Sequence, residues 1–249
     1  MMIVLYIMAA LIGISLGLIG AGGAIVAVPT FVYVGGIDPN LADGYALFVV
    51  AVSSAVAVLM QGREKNIEWR AVFAFGSGTI VTLVVVRYYL DQFVPQKVQM
   101  LIFGVALLAA AIAMLRSQRL PAKPPENKPM MLALYGIAVG AFSGLLGVGG
   151  GFLMTPALVL WAGLDMRRAV ATTLVLISIN STAGVVTDMV DGLQYDWPLV
   201  IVCSIITTAG IIVGTLLSRR IDGNTLKAVF GWLVLAIGIG VLVTEVLRY

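Results

Sequence analysis

One glycine-broken apolar run occurs twice in this chain. Residues 17–29 read GLIGAGGAIVAVP and residues 144–156 read GLLGVGGGFLMTP. At one constant offset, Gly17, Leu18, Gly20, Gly22, Gly23 and Pro29 match Gly144, Leu145, Gly147, Gly149, Gly150 and Pro156. Glycines loosen a helix and proline removes an amide donor, so neither run continues as an undisturbed helix. In a membrane protein, discontinuous helices at corresponding positions of two halves point to a substrate site near the bilayer midplane.

Composition supports the membrane. Hydrophobic residues make up 61% of 249 and charged ones 11%, against ~25% charged in soluble domains. Apolar stretches fall at 2–35, 44–60, 69–90, 97–115, 130–163, 169–190, 197–217 and 224–247. A span takes ~20 apolar residues, so the expected fold is all-α integral membrane with about eight hydrophobic segments. The repeat runs through them: Gly36, Asp38 and Ala42 match Gly163, Asp165 and Ala169, Ser54 matches Ser181, and Phe103-Gly104 matches Phe230-Gly231. Trp69 matches Trp197 after a one-residue slip. RSQRLPAKPPENKP is polar and Pro-rich and reads as a linker. The chain is therefore expected to be a single membrane domain, 1–249, with repeat 1 at 1–115, linker 116–129 and repeat 2 at 130–249.

Lys and Arg orient the halves. If each half crosses four times, the halves are parallel and the basic residues divide eight against seven. If the first segment of each half is instead a hairpin broken at its glycines, the loops at 61–70, 116–129, 164–168 and 218–227 share one side. They then hold twelve basic residues against three. The positive-inside rule selects the hairpins. Length agrees, because 34 helical residues would reach ~51 Å, too long for one span. The expectation is two inverted-topology repeats, each opening with a Gly-broken helical hairpin, in a bacterial inner membrane with both termini outside and the linker in the cytoplasm.

Several functions are excluded. There is no His, which removes His-based metal, haem and proton-relay sites. Cys203 is the lone cysteine, so no intrachain disulfide forms. Neither glycine cluster is followed by Lys, so neither is a P-loop, and G-x-G-x-x-G after a strand does not occur. No nucleophile, base and orienter can be assembled, so an enzyme is not expected, nor is a cofactor or metal. The net charge of +3 is loop bias and not a nucleic-acid footprint. The N-terminal run lacks a basic n-region and its like recurs from Met130, so it reads as a span and not as a signal peptide.

A helix N-terminus exposes about four N–H groups and roughly half a positive charge. Glycines let an anion approach those groups. If Gly20, Gly22 and Gly23, and Gly147, Gly149, Gly150 and Gly151, each precede a half-helix, two positive ends hold a small anion with no buried cation, which would be costly at midplane. Repeat symmetry adds polar partners on the next helix of each half: Tyr45, Ser53 and Ser54, then Thr172, Thr173, Asn180 and Ser181. Other features have plainer readings. Gly136-x3-Gly140-x3-Gly144 suits helix packing. Span Ser and Thr residues ordinarily bond the carbonyl one turn back. Trp69, Trp197 and Tyr249 fit interfacial anchors. Asp43, Asp188 and Glu245 lie near predicted helix ends and are expected to be solvated.

GLLGVGGG at 144–151 followed by Pro156, the run Ala169-Val170-Ala171-Thr172-Thr173 and the later G…W junction resemble the TauE/SafE family of sulfite and sulfonate exporters. The likeness covers the whole chain. The first half departs from it, with Ala42-Asp43-Gly44-Tyr45-Ala46 where the threonines would stand. What the resemblance implies is export of a small sulfur-containing anion, sulfite or an organosulfonate, by alternating access. The partners are then that anion and the lipid bilayer. The other readings are an anion channel, an uptake carrier for another oxyanion such as thiosulfate, and a membrane scaffold.

Overall fold

A computed structural model describes residues 2–20, 22–62, 66–89, 96–117, 128–146, 151–190 and 192–247. Among them every regular element is helical. In order they are α1 (Met2–Ile19), α2 (Gly22–Pro29) running into a π-helical turn (Thr30–Val34), α3 (Pro39–Gly62), α4 (Trp69–Tyr89) and α5 (Gln96–Ser117). Then follow α6 (Pro129–Leu146), α7 (Gly151–Leu160), α8 (Met166–Val190), α9 (Trp197–Ser218) and α10 (Gly223–Leu247). Five described stretches are long and apolar enough to cross a membrane: Met2–Ile19, Leu41–Gln61, Met166–Val190, Trp197–Ser218 and Gly223–Val243. Most of the linker, residues 118–127, lies outside the described residues, as do Arg63, Lys65, Arg248 and Tyr249.

The first apolar segment of each half is split in two and folds back. A Cβ built on Gly23 would stand 2.3 Å from the Ile12 carbonyl oxygen and 2.5 Å from Leu16 Cγ. In a continuous helix residues 12 and 23 would lie ~16 Å apart. In the second half the rings of Tyr135 in α6 and Trp161 just after α7 are 5.6 Å apart, where a continuous helix would separate them by ~39 Å. The first arm has 18 residues and measures ~27 Å, nearly the ~30 Å of a hydrocarbon core. The break at Gly20 therefore stands toward the far end of a span and not at its middle.

Both return arms end alike. Pro29 interrupts the helical ladder, and the widened turn after it is closed by Gly35 N–H to Thr30 O (3.0 Å) and Ile37 N–H to Phe31 O (3.1 Å). The repeat-equivalent bonds in the second half are Ala162 N–H to Ala157 O (3.2 Å) and Leu164 N–H to Leu158 O (3.0 Å). Gly36 (φ 66°) and Gly163 (φ 70°) take the left-handed conformation that stops each arm. Acidic residues then start the next helices. Asp165 Oδ1 accepts from Arg168 N–H, Asp196 Oδ1 from Leu199 N–H, and Asp222 Oδ2 from Asn224 and Thr225 N–H.

The helices form two compact units, Met1–Ile67 with Val170–Ile221, and Glu68–Ala169 with Asp222–Tyr249. In the first, α1 and α9 run parallel at glycine contacts. A Cβ on Gly13 would stand 2.1 Å from Thr207 O, on Gly17 2.4 Å from Ile211 O, and on Gly214 2.2 Å from Ile14 O. Thr207 Oγ1 also donates to Ala9 O at 3.1 Å. In the second, α4 and α6 do the same: a Cβ on Gly136 would stand 2.1 Å from Phe75 O and on Gly140 2.5 Å from Thr79 O. Gly136 and Gly140 thus serve close packing, as expected. Here α5 and α10 run antiparallel, with Leu242 filling the place of a side chain at Gly104 (2.6 Å) and Leu115 that at Gly231 (2.7 Å). Outward apolar side chains such as Ile3, Leu59, Phe73, Val105 and Trp232 are exposed on the units and suit lipid.

Gly214→Ala should cost ~1–3 kcal/mol, because its methyl meets a backbone carbonyl that cannot turn aside. Gly240→Ala, where a Cβ would meet nothing within 4 Å, should be neutral or stabilising by ~0.5–1 kcal/mol. Melting temperatures of the two variants in detergent check this, and equal effects would contradict it.

Candidate functional site

The first glycine break is built from the end of α1. Gly20 N–H still bonds Leu16 O (2.8 Å), but Gly20 adopts φ 79°, a conformation costing other residues ~1–2 kcal/mol. Gly22 then opens α2, an eight-residue half-helix whose first N–H groups have no partner within the helix. Gly20 abuts α8: a Cβ there would lie 3.2 Å from both Cα and O of Val170. The break of the first half thus touches the Val170–Thr173 run of the second, where Thr172 and Thr173 are wholly buried. Gly23 faces Ile12 and Leu16 and closes the hairpin.

Deeper along α8 lie Asn180 and Ser181. Asn180 is eight residues past Thr172, ~12 Å along the helix, so one small anion does not touch both. Helices α3 and α8 are antiparallel where they meet, with Gly44 beside Asp188 and Gly184 beside Leu47. Continued along the helices, that register sets Ser53 and Ser54 level with residues 177–179, within about one turn of Asn180 and Ser181. Ser53 donates to Val49 O (2.6 Å) and Ser54 to Ala51 O (3.2 Å), one turn back as expected. Asn180 Nδ2 is buried and has no hydrogen-bond partner among the described residues. It is a spare donor. The candidate residues therefore divide into a break level (Gly20, Gly22, Thr172, Thr173) and a polar layer (Ser53, Ser54, Asn180, Ser181), all in the first unit. Gly151 opens α7 in the second unit and is buried, while Gly147, Gly149 and Gly150 lie outside the described residues.

Tyr45 has another occupation. Its hydroxyl accepts the Asp196 N–H (2.8 Å), and its ring stacks on Tyr195 at 5.7 Å and meets Phe31 edge-on at 6.1 Å. Where the second half has Thr172, the first uses a tyrosine to hold the α8–α9 connection. Beside it Asp188 is only partly exposed, where the sequence suggested a solvated side chain. Its Oδ2 is buried, 3.1 Å from the Cβ position of Gly44, and Tyr195 Oη lies 3.2 Å from that same point. Sequence distance hid this cluster, since Gly44 and Asp188 are far apart in the chain. Burial, then the negative charge of Asp188, push the Tyr195 phenol up to about 12. Trp69 and Trp197 begin α4 and α9 and are about half exposed, which suits interfacial anchors. Among the described residues no group of three His, Cys, Asp or Glu is placed to hold a metal.

Residues 5–241 match the family described as sulfite exporter TauE/SafE. The chain belongs to the TauE/SafE family. It is 27% identical over 245 residues to a probable membrane transporter protein of Xylella fastidiosa (strain Temecula1), covering 93% of this chain and 91% of that one. It is 25% identical over 253 residues to the probable membrane transporter protein YjnA of Bacillus subtilis, covering 96% and 99%. To a probable membrane transporter protein of Methanocaldococcus jannaschii it is 31% identical over 188 residues, covering 73% and 70%. No solved structure matches the chain. This TauE/SafE protein is a membrane transporter, and its many apolar helices accord with that.

Tyr195 lies between α8 and α9, outside the spans. Its folded pKa stands above the ordinary 10.0, so its neutral form adds stability that is full below pH 10 and is lost as pH rises through about 12. The melting temperature of the wild type should therefore fall more steeply across that window than that of Tyr195→Phe. Parallel curves would contradict the burial of this phenol.

Proposed function

We propose that this transporter exports a small sulfur oxyanion, with sulfite as the first candidate, by alternating access between two inverted halves. The family to which it belongs supplies the substrate class. The observation that carries the site is the seat of Gly20 on Val170. That contact supports an anion seat here, because α2, whose first N–H groups and helix dipole favour an anion, follows Gly20, and Val170 leads into the buried Thr172–Thr173 turn. Glycine at 20 and 22 adds no side chain over that end, so an anion can approach it without a cation in the lipid. The Asn180 amide then offers a spare donor within about one turn of the level of Ser53 and Ser54.

Inverted halves draw support from helix directions. Helices α5 and α10 begin at repeat-equivalent positions, Gln96 and Gly223, as do α3 and α8 at Pro39 and Met166. Each pair of equivalents is antiparallel where its members meet. In the α5–α10 pair, Gly104 with Leu242 and Gly231 with Leu115 are one contact written twice by the repeat. Equivalents running in opposite senses are what inverted repeats would give. Cytoplasmic loops then carry twelve of the fifteen basic residues.

Counterflow of labelled sulfite in proteoliposomes tests the carrier, since exchange through an alternating site needs no channel current. Gly22→Val covers the end of α2 and should lower counterflow roughly tenfold or more, the loss expected from ~1.4 kcal/mol of anion binding. Asn180→Asp sets a negative charge in the polar layer and should do the same. Both variants should still yield folded protein in the membrane. A thermal-shift panel of sulfite, thiosulfate, sulfoacetate, taurine and sulfate ranks the substrates, because a bound anion raises the melting temperature by mass action. Undiminished counterflow in both variants would remove the site.

A further inference from the structure

Carriers built from broken helices bind their substrate near the bilayer midplane, yet the break at Gly20 stands toward one end of the first arm. Helix registers locate the middle. Gly20 ends α1 against Val170, near the start of α8. At the other end of α8, Asp188 lies beside Gly44, and the next residue, Tyr45, holds the Asp196 N–H where α9 begins. The start of α9 is level with the start of α1, since the Cβ position of Gly210 is 2.5 Å from Ala10 O and 3.1 Å from Gly13 Cα. Helix α8 therefore runs antiparallel to α1. Asn180, ten residues past Val170, stands ~15 Å from the break along an arm of ~27 Å. That is mid-depth.

Two further side chains reach the same depth. Across the hairpin the Cβ position of Gly23 is 2.3 Å from Ile12 O and 2.9 Å from Ser15 Oγ, a level ~9 Å back from the break. Thr30 follows seven residues later on the returning arm, ~19 Å from the break and within about one turn of Asn180. Thr208 precedes Gly210 by two residues and is level with the middle of α1. All belong to the first unit.

These side chains differ from their neighbours in the spans. The buried hydroxyls of Ser53, Ser54, Thr79, Ser143 and Ser204 each donate to a carbonyl one turn back, the ordinary arrangement in a helix. Thr30 Oγ1, Thr208 Oγ1 and Asn180 Nδ2 are buried with no hydrogen-bond partner among the described residues. Thr30 is only 3% exposed and opens the π turn, a distortion that frequently marks functional sites. Three helical arms thus bring uncommitted donors to one depth, where buried polar groups as a rule find a partner. The repeat sharpens the point. At the place of Thr30 the second half has Ala157, on α7 in the second unit, whereas α3 and α8 with the polar layer both lie in the first. The hydroxyl is kept in the unit that has a layer to complete.

Residues 2–37, 44–62, 169–187 and 197–218 contain no Asp, Glu, Lys or Arg. The spare groups are neutral O–H and N–H donors, and the ligand they suit is an acceptor on several sides, a small oxyanion. We propose that Thr30 and the Asn180 amide form a mid-membrane station that holds the oxyanion after it leaves the glycine break, with Thr30 a substrate-binding residue. This rests on the transport function proposed above.

Sulfite titrations of the whole protein, read by melting temperature and by counterflow, test the station. Thr30→Val keeps the shape and removes the donor, and should raise the half-saturating sulfite concentration roughly tenfold, the scale of one hydrogen bond to a charged group. Thr30→Ser should restore the wild-type value, and Asn180→Leu should act like Thr30→Val. Combining Thr30→Val with Asn180→Leu should raise half-saturation by less than the product of the two factors, because both residues hold one anion. Gly22→Val, at the distant break, should leave the Thr30→Val factor unchanged. Factors for Thr30 and Asn180 that simply multiply would overturn the shared station. So would wild-type half-saturation in Thr30→Val, which would mean that water alone satisfies the layer. If Thr30→Val does not fold, Thr30→Ala, the residue the repeat carries at 157, decides by the same readings. Wild type without sulfite counterflow would strike the transport function. The station then stands if sulfite raises the melting temperature of wild type and not of Thr30→Val, and falls if wild type shows no such rise.

Discussion

Glycine faces pressed onto carbonyl oxygens hold each unit together. Lipid tails are as apolar as leucine, so burial alone gives two helices little reason to pair inside a membrane, and close backbone approach must supply the attraction. Gly13, Gly17, Gly210 and Gly214 bring α1 and α9 to that distance, and Gly78, Gly136 and Gly140 do so for α4 and α6. Both pairings join the first helix of one half of the sequence to the fourth helix of the other. The units are therefore mixed in origin, and each depends on both copies of the repeat.

The hairpin arms follow from the same economy. A chain inside lipid must satisfy its backbone groups locally, and a break is tolerated only where other protein covers it. Gly23 and Ser15 close on one another across the first hairpin, and the π turn after Pro29 satisfies the carbonyls of Thr30 and Phe31. At the start of α2 the first N–H groups have no partner within the helix. Under the proposed function, an anion supplies the missing acceptor there. The cluster around Gly44 is a different case, where the fold removes one Asp188 carboxylate oxygen from water beside the Tyr195 phenol.

Sequence reasoning found the hairpins because two long apolar runs each carried glycines and a proline, and helix rise made a single span too long. It found the constant offset between the halves, which the arm ends reproduce bond for bond at Gly35 and Ala162. It also judged Gly136 and Gly140 correctly as packing residues. It misplaced Asp188, because nearness to a helix end says nothing about which distant segment covers it. Tyr45 was grouped with the anion ligands on symmetry alone, and its hydroxyl instead holds Asp196. Symmetry in sequence constrains backbone paths more than side-chain tasks.

Periodicity, composition and repetition are properties of the chain itself, so the sequence alone determined a helical membrane protein whose first apolar segment in each half is interrupted at glycines. Which helices pair was decided only in three dimensions, since α1 meets α9 and Gly44 meets Asp188 across long stretches of chain. The same holds for the depth of the break, which depends on where α1 ends against α8. Local pattern sets what each segment can become, whereas partner choice depends on shape and polarity between segments that no short window contains.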